Sequence, residues 1–260
     1  MLTIQILDEQ DVVKKTEQGK NRVDCVYQQA YRQGDHIRIS SDVYPVDVVL
    51  QVDDALGSSV CFLAGELDYV IPFAEKKTSY SPKTFSGDRH YLYVRKAEAF
   101  EVYAYRNQAL NVNDRHGDTH LFPHASANVE TRGEAVFAAR NAIDGVCENR
   151  SHGEWPYESW GINQREDAAM KIEFGREIEA DRIDLYTRAD FPHDNWWERV
   201  TFKFSDGTSL VTKLEKSYEP HQIRFEKKKI SWVEICELIK ADDPSPFPAL
   251  TQMEVYGKVL

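Results

Sequence analysis

The sequence predicts an all-β chain built from two β-sandwich domains, residues 1–118 and 119–260. Short runs in which apolar and polar residues alternate recur in both parts, and this period of two is typical of strands that are buried on one face. Turn signals rich in Gly, Asp and Ser separate these runs. Segment 107–122 is polar and turn-rich and lacks a period, so we predict the domain boundary there.

The first domain contains seven alternating runs and no motif that we can attach to chemistry. Segment 11–21 is compatible with one short helix or with a polar loop. Segment 75–89 is rich in Ser, Thr and Lys and predicts a long exposed loop anchored by two aromatic residues. His36 and His90 are interpreted as solvated or core histidines. The alternating runs are 2–6, 23–27, 37–39, 46–52, 69–73, 92–94 and 100–104.

The second domain is centred on segment 170–207, which predicts three strands around one polar and aromatic loop. Gly175 is predicted to turn the chain between the first two strands, and Asp206 with Gly207 to close a hairpin before the next. Packing so many polar side chains in a core costs solvation, so the loop is better suited to a concave recognition surface. The predicted strands are 170–174, 183–186 and 200–204.

Other parts of the second domain also have readable patterns. Segment 134–141 is Ala-rich and predicts a helical turn. Prolines make 242–248 a stiff loop, and the alternation in 249–257 predicts a last strand. Further strands are predicted at 210–211, 222–225 and 232–235.

Composition excludes several classes of function. The net charge is −11, so the chain lacks the basic surface that a nucleic acid requires, and no nucleic-acid partner is expected. No apolar run reaches the roughly 18 residues of a membrane span, and the N-terminus lacks the pattern of a signal peptide. As written, the chain is expected in the cytoplasm, with an extracellular location open for a trimmed sequence. The cysteines form no CxxC pair and are interpreted as reduced and mostly buried: Cys25, Cys61, Cys147 and Cys236.

An ordered set of landmarks in residues 123–260 resembles the F5/8 type C, or discoidin-like, domains and the family 32 carbohydrate-binding modules. The resemblance implies a galactose-binding-like jelly roll for this domain. Residues 1–118 resemble no family that we can name. The landmarks are Ala125–Ala127, Asn141–Gly145, Trp160, Met170–Gly175, Arg182–Arg188, Val200–Gly207 and Ala249–Gly257.

The same resemblance implies a structural Ca²⁺ held by Asp144 of the turn and Glu254 of the last strand. Calcium prefers several oxygen ligands, some of them anionic, and these residue types suit it. The sequence departs from the family pattern after Gly145, where Val146–Asn149 replaces the usual Thr- or Ser-bearing segment. The alternative is that Asp144 caps its turn and Glu254 faces solvent.

The resemblance further implies a carbohydrate site on loops at one end of the second sandwich. Sugar hydroxyls are bound by polar groups and the apolar face of the ring stacks on an aromatic side chain. Arg188 is expected at the floor of the site, past the buried part of its strand, with Trp155 or Phe247 as a wall. Core packing for the tryptophans and a surface ion pair for Arg188 are the structural alternatives. The predicted ligand-binding residues are Arg188, Trp155, His152, Glu154, His193, Asn195, Trp196 and Phe247.

The sequence therefore favours a non-catalytic carbohydrate-binding protein. A protein-interaction or adhesion module of the discoidin type is one alternative. An accessory part of a glycoside-processing enzyme is another, although the acids Glu154, Glu158 and Asp190 form no recognised catalytic motif. The glycan and the oligomeric state are left open by the sequence.

Overall fold

The all-β prediction is confirmed, since 48% of the chain is strand and 8% is helix. A computed structural model describes residues 1–117, 119–189 and 194–260. The helical segments are α1 (Ala99–Tyr103) and the 3-10 helices η1 (Ala74–Lys77), η2 (Thr131–Gly133), η3 (Ala135–Phe137) and η4 (Ala139–Ile143). The strands are β1 (Leu2–Leu7), β2 (Val13–Gly19), β3 (Arg22–Tyr27), β4 (His36–Ser41), β5 (Val46–Gln51), β6 (Ser59–Leu63), β7 (Leu67–Val70), β8 (His90–Lys96), β9 (Arg106–Asn107), β10 (Leu121–Phe122), β11 (His124–Ala127), β12 (Trp160–Gly161), β13 (Met170–Thr187), β14 (Asp194–Asn195), β15 (Trp197–Phe204), β16 (Ser209–Lys213), β17 (His221–Lys240) and β18 (Phe247–Val259).

The N-terminal part of the chain forms two sheets, with strand orders β2-β1-β4-β7 and β10-β6-β5-β8-β3. Alternate side chains of these strands meet in one core cluster that runs from Leu2 to Leu121. Segment 11–21 is neither the helix nor the loop expected from its polar sequence. Its residues form the edge strand β2 because their backbone groups pair with β1 in antiparallel register.

A larger sheet forms the C-terminal part, with the path β12-β18-β13-β17-β15-β16. The 18-residue strand β13 pairs antiparallel with both β17 and β18, which confirms the predicted last strand. Its core cluster runs from Val102 to Val259. Trp160 and Trp197 are completely buried there, with ring centroids 6.5 Å apart, so Trp197 is a core residue.

The prediction that Gly175 turns the chain between two strands is wrong. Gly175 lies inside β13 at φ +70°, where the pairing with β17 shifts between Glu173 and Ile178. It is therefore part of a bulge that bends one continuous strand. The hairpin at Gly207 is confirmed by the antiparallel pairing of β15 with β16, and segment 134–141 forms the 3-10 helices η3 and η4 in place of an α-helical turn.

Segment 107–122, the predicted boundary, contributes Ala109 to one core cluster and Leu121 to the other, so it is not a solvated linker. Asn111 and Asn113 are completely buried. The Nδ2 of Asn113 donates to the Leu50 carbonyl at 2.9 Å, and the Nδ2 of Asn111 donates to the Pro123 carbonyl at 2.8 Å. Buried side-chain amides thus take the place of regular secondary structure in satisfying backbone groups here.

Several smaller predictions are resolved by the same packing. Tyr80 and Phe85 are buried and anchor the 75–89 loop in the N-terminal core. All four cysteines are free thiols, and Cys147 is the one that is partly exposed. Within the described ranges, no helix has the length and apolar character that a membrane span requires.

Candidate functional site

A cavity of about 780 Å³ lies among the loops that precede β12 and β18 and follow β13. Its walls come from segments 131–137, 159–164 and 244–249, together with His152, Arg188 and Asp194; we call it the main pocket. Its volume lies within the range of pockets that enclose small ligands, about 300–1,000 Å³.

Arg188 lines the main pocket directly after the end of β13. It is completely buried, and its guanidinium Nη2 donates a hydrogen bond of 3.0 Å to the Glu158 carbonyl. The expectation that Arg188 lies past the buried part of its strand is therefore wrong. Burial continues beyond Thr187, since both Arg188 and Ala189 are buried. A buried guanidinium in a pocket wall is a strong, oriented hydrogen-bond donor.

The proline-rich loop 244–248 also lines the main pocket, and hydrogen bonds from Asn195 fix its position. The Nδ2 of Asn195 donates to the carbonyls of Ala241 at 3.1 Å and Ser245 at 2.8 Å. Asn195 is completely buried, so it positions the loop rather than lining the pocket. Phe247 leaves 52% of its surface exposed, so an exposed aromatic ring and the buried guanidinium of Arg188 line the same pocket.

The predicted ligand-binding residues therefore separate into groups. His152, Arg188 and Phe247 lie together in the main pocket, whose described lining does not include Glu154, Trp155 or Trp196. Glu154 and Trp155 are exposed beside η1 of the N-terminal part, where the Trp155 N–H donates to the Thr78 carbonyl at 2.9 Å. Trp196 packs under the Lys216 ammonium, 4.9 Å from its ring centroid, at another groove. His193 lies outside the described residues.

Two acidic side chains are buried behind the main pocket. Glu158 and Asp144 are both buried, and their side chains interact with each other. Burial and the Asp144 carboxylate raise the pKa of Glu158 to about 8, so that Glu158 carries a proton at neutral pH. The positive charge of the buried Arg140 guanidinium acts in the opposite direction and lowers the pKa of both acids. The Nε of Arg140 donates to the Asp114 carbonyl at 2.8 Å.

The surroundings of Asp144 and Glu254 bear on the predicted calcium site. The Oδ1 of Asp144 accepts from the Val146 N–H at 2.9 Å, and the Oε2 of Glu254 accepts from the Tyr256 hydroxyl at 3.1 Å. Among the described residues, no group of three or more His, Cys, Asp or Glu side chains is placed to hold a metal. Protein ligands for Ca²⁺ would have to include backbone carbonyls, and calcium binding stays a prediction.

Several residues of the main pocket escaped the sequence interpretation. Phe137 lies in the Ala-rich segment 134–141, which was interpreted as a helical turn and not as part of a site. Asn163 and Gln164 adopt positive φ values of +49° and +58° and shape the wall after Trp160. Asparagine tolerates this left-handed conformation better than most residues, so Asn163 offered the one local signal. The other pocket residues not predicted are Thr131, Arg132, Ser159, Gly161, Ile162, Pro244 and Ala249.

Comparisons with known proteins show that this chain is similar to several solved structures. No family model and no curated protein matches the chain. A chitosan-binding module of a Paenibacillus sp. IK-5 chitosanase/glucanase is 19% identical, with a TM-score of 0.39 over 58% of this chain and 98% of that one. The lectin domain of lectinolysin, complexed with Lewis B antigen, is 17% identical, with a TM-score of 0.43 over 57% and 94%. The family 32 module of Clostridium perfringens NanJ, in complex with galactose, is 16% identical, with a TM-score of 0.37 over 51% and 91%.

These solved structures include a member of family 32, which the landmarks in residues 123–260 resemble. The ligand of each is a property of that protein. The function proposed below therefore rests on the residues of the main pocket.

Proposed function

We propose that this chain binds a carbohydrate in the main pocket and that it does so without catalysing a reaction. The observation that carries the proposal is the buried Arg188 guanidinium in the same pocket as the exposed ring of Phe247. This combination suits a sugar, because hydroxyl groups accept hydrogen bonds from charged donors while the apolar ring face packs on an aromatic side chain.

The acids of the pocket favour binding over glycoside hydrolysis. A glycosidase normally uses two carboxyl groups on either side of the scissile bond, about 5–10 Å apart. Among the described residues that line the main pocket, Asp194 is the one carboxylate. Glu158 directly precedes the lining residue Ser159 in the sequence, but Glu158 is buried and is not part of the described lining.

A glycan array probed with the full-length chain tests the proposal. We expect a defined set of glycans to bind, and Phe247→Ala to weaken this binding about tenfold, because a lost aromatic contact of about 1.4 kcal/mol corresponds to that factor. Phe100→Ala is the matched control, since Phe100 is 75% exposed on α1 and does not line the pocket.

The contrary results are equally specific. Absence of any bound glycan overturns the proposal, and equal binding by both phenylalanine variants moves the site away from the main pocket. Hydrolysis of chromogenic glycosides by the purified chain would contradict its non-catalytic part.

A further inference from the structure

A second groove continues from the main pocket toward the N-terminal part of the chain. Its cavity measures about 370 Å³, and we call it the junction groove. Arg132, Phe137 and His152 line both cavities, so these three side chains form a shared wall. The rest of its lining comes from both parts of the chain: Glu75, Thr78, Glu134, Val136, Gly153 and Glu154.

Hydrogen bonds fix the N-terminal part at this groove. The Oε1 of Glu75 accepts from the Ala135 N–H at 2.6 Å, and the Thr78 carbonyl accepts from the Trp155 N–H. Next to them, the Arg140 guanidinium packs 4.4 Å above the ring of Tyr80. The junction groove is therefore a built feature of the fold, with η1 held against η3.

Two exposed aromatic residues lie in the lining of the combined cavity or directly next to it in the chain. Phe247 lies at the edge of the main pocket, and Trp155, with 40% of its surface exposed, follows Glu154 at the margin of the junction groove. An exposed tryptophan offers a large apolar ring face together with a polar N–H group, and the apolar face of a sugar ring can pack against it.

Charge restricts what the junction groove accepts. Its described lining carries the carboxylates of Glu75, Glu134 and Glu154 against the single guanidinium of Arg132. Arg132 is already paired with Glu134, with 2.5 Å between Nε and Oε1. The excess of negative charge repels an anionic sugar and tolerates a neutral or amine-bearing one.

From these observations we propose that the ligand is a neutral or amine-bearing oligosaccharide rather than a single sugar. One end occupies the main pocket, and the chain passes over the shared wall into the junction groove, where the N-terminal part contributes Glu75 and Thr78. This inference rests on the proposed carbohydrate-binding function. It also gives the N-terminal part a role, as one side of the binding surface.

The test is a glycan array that presents each sugar series at several lengths, from one to six residues, with matched sialylated and uronic acid members. Neutral galactose, N-acetylglucosamine and glucosamine oligomers serve as probes. We expect the wild-type chain to bind the longer neutral or amine-bearing members at least tenfold more tightly than the monosaccharide. Trp155→Ala should remove this length dependence while leaving monosaccharide binding unchanged, and Phe247→Ala should weaken all lengths.

Charge reversal gives a second readout. Glu154→Arg should lower the discrimination against the sialylated and uronic acid members, because it removes one negative charge from the groove and adds a positive one.

Each outcome separates the two proposals. Monosaccharide binding as tight as hexasaccharide binding overturns the oligosaccharide inference and leaves the proposed function standing. Length dependence that survives in Trp155→Ala, together with unchanged discrimination against anionic sugars in Glu154→Arg, places the extension elsewhere and overturns the role of the junction groove. If no glycan of any length binds, both proposals fall together.

Discussion

Arg188 lies in the wall of the main pocket and is also completely buried, so its side chain serves both the fold and the site. Its guanidinium donates to the carbonyl of Glu158, a residue that is itself buried. Phe247 and Trp155, in contrast, are exposed and can be truncated with little effect on the core. Substitution of Phe247 or Trp155 should therefore affect binding alone, whereas substitution of Arg188 should affect both stability and binding.

Arg188→Ala should lower the free energy of unfolding by about 2–4 kcal/mol, because it leaves a cavity and an unpaired buried carbonyl. Urea denaturation measures this loss. Arg165→Ala is the control, since Arg165 is exposed and pairs with the exposed Asp167, and surface changes of this kind stay within about 0.5 kcal/mol. Equal stability of the two variants would show that Arg188 contributes nothing to the fold.

Calcium binding by Asp144 and Glu254 remains a prediction with a direct test. If Ca²⁺ binds the native state alone, a concentration of 100 times its dissociation constant adds about 2.7 kcal/mol of stability. The melting temperature should then rise with added CaCl₂ and fall with a chelator, and Glu254→Gln should abolish both responses. A melting temperature that ignores calcium and chelator alike would contradict the prediction.

Among the elements, β13 continues through Gly175 as one strand, although its pairing with β17 is interrupted between Glu173 and Ile178. Gly175 lies at φ +70°, and a Cβ there would come within 2.6 Å of the Phe122 ring and 2.9 Å of the Phe62 ring. The strand bends where the N-terminal aromatic rings pack against it. Glycine is favoured at this position for two reasons: its backbone adopts a positive φ, and the neighbouring phenylalanine rings leave no room for a Cβ.

Gly175→Ala should therefore destabilise the chain more than Gly207→Ala. Both glycines have positive φ, but a Cβ at Gly207 meets nothing within 4 Å. We expect about 1 kcal/mol for Gly207→Ala from backbone strain, and about 1–3 kcal/mol more for Gly175→Ala from overpacking. Equal urea midpoints for Gly175→Ala and Gly207→Ala would show that the Phe122 and Phe62 rings can move aside without loss of stability.

Helix α1 is held to β8 by an ion pair between Glu101 and Arg95. The two carboxylate oxygens accept at 2.6 and 2.7 Å, and Oε2 also accepts from the Glu98 N–H. The hydrogen bonds from Arg95 hold the pKa of the Glu101 carboxyl at about 2. A lowered folded-state pKa means that this stabilisation is complete above pH 4.5 and is lost as the pH falls from about 4.5 to about 2.

Glu101→Gln should consequently cost about 1–2 kcal/mol at pH 7 and little at pH 2, after allowance for solvent screening. Thermal unfolding between pH 2 and pH 7 measures the difference. Glu177→Gln neutralises an exposed glutamate and should leave the pH profile unchanged. Parallel profiles for wild type and Glu101→Gln would contradict the assignment.

At the scale of the whole molecule, two core clusters are joined by the buried segment around Asn111 and Asn113. The Asn111 N–H donates to the Ile143 carbonyl at 2.9 Å on the C-terminal side, and the Cys61 thiol donates to its Oδ1 at 3.4 Å on the N-terminal side. Unfolding one cluster would expose these buried polar groups of the other.

We therefore predict that the chain unfolds in a single cooperative transition. Calorimetry should give a van't Hoff enthalpy equal to the calorimetric enthalpy. Asn113→Ala should lower the melting temperature, because it leaves the Leu50 carbonyl and the Val52 N–H without partners. Two separate transitions in the wild-type chain would show that the clusters fold independently.

The pattern of the chain was sufficient to predict strands, the hairpin at Gly207 and the proline-rich loop that carries Phe247. These features depend on neighbours within a few residues, through the alternation of side chains and the backbone limits of proline and glycine. For the same reason the strand pattern indicated an all-β chain.

The assembly of the site depended on contacts between distant segments. Sequence placed Trp155 beside Arg188, whereas in the fold the Trp155 backbone is hydrogen-bonded to Thr78, a residue of the junction groove, and Phe137 lies in the shared wall. It also placed Arg188 outside the core, although this side chain is completely buried and donates to the Glu158 carbonyl. Polar segment 11–21 became a strand because β1 supplied its hydrogen bonds. Burial and pairing of this kind arise only when segments far apart in sequence meet, and no local pattern encodes which segments those are.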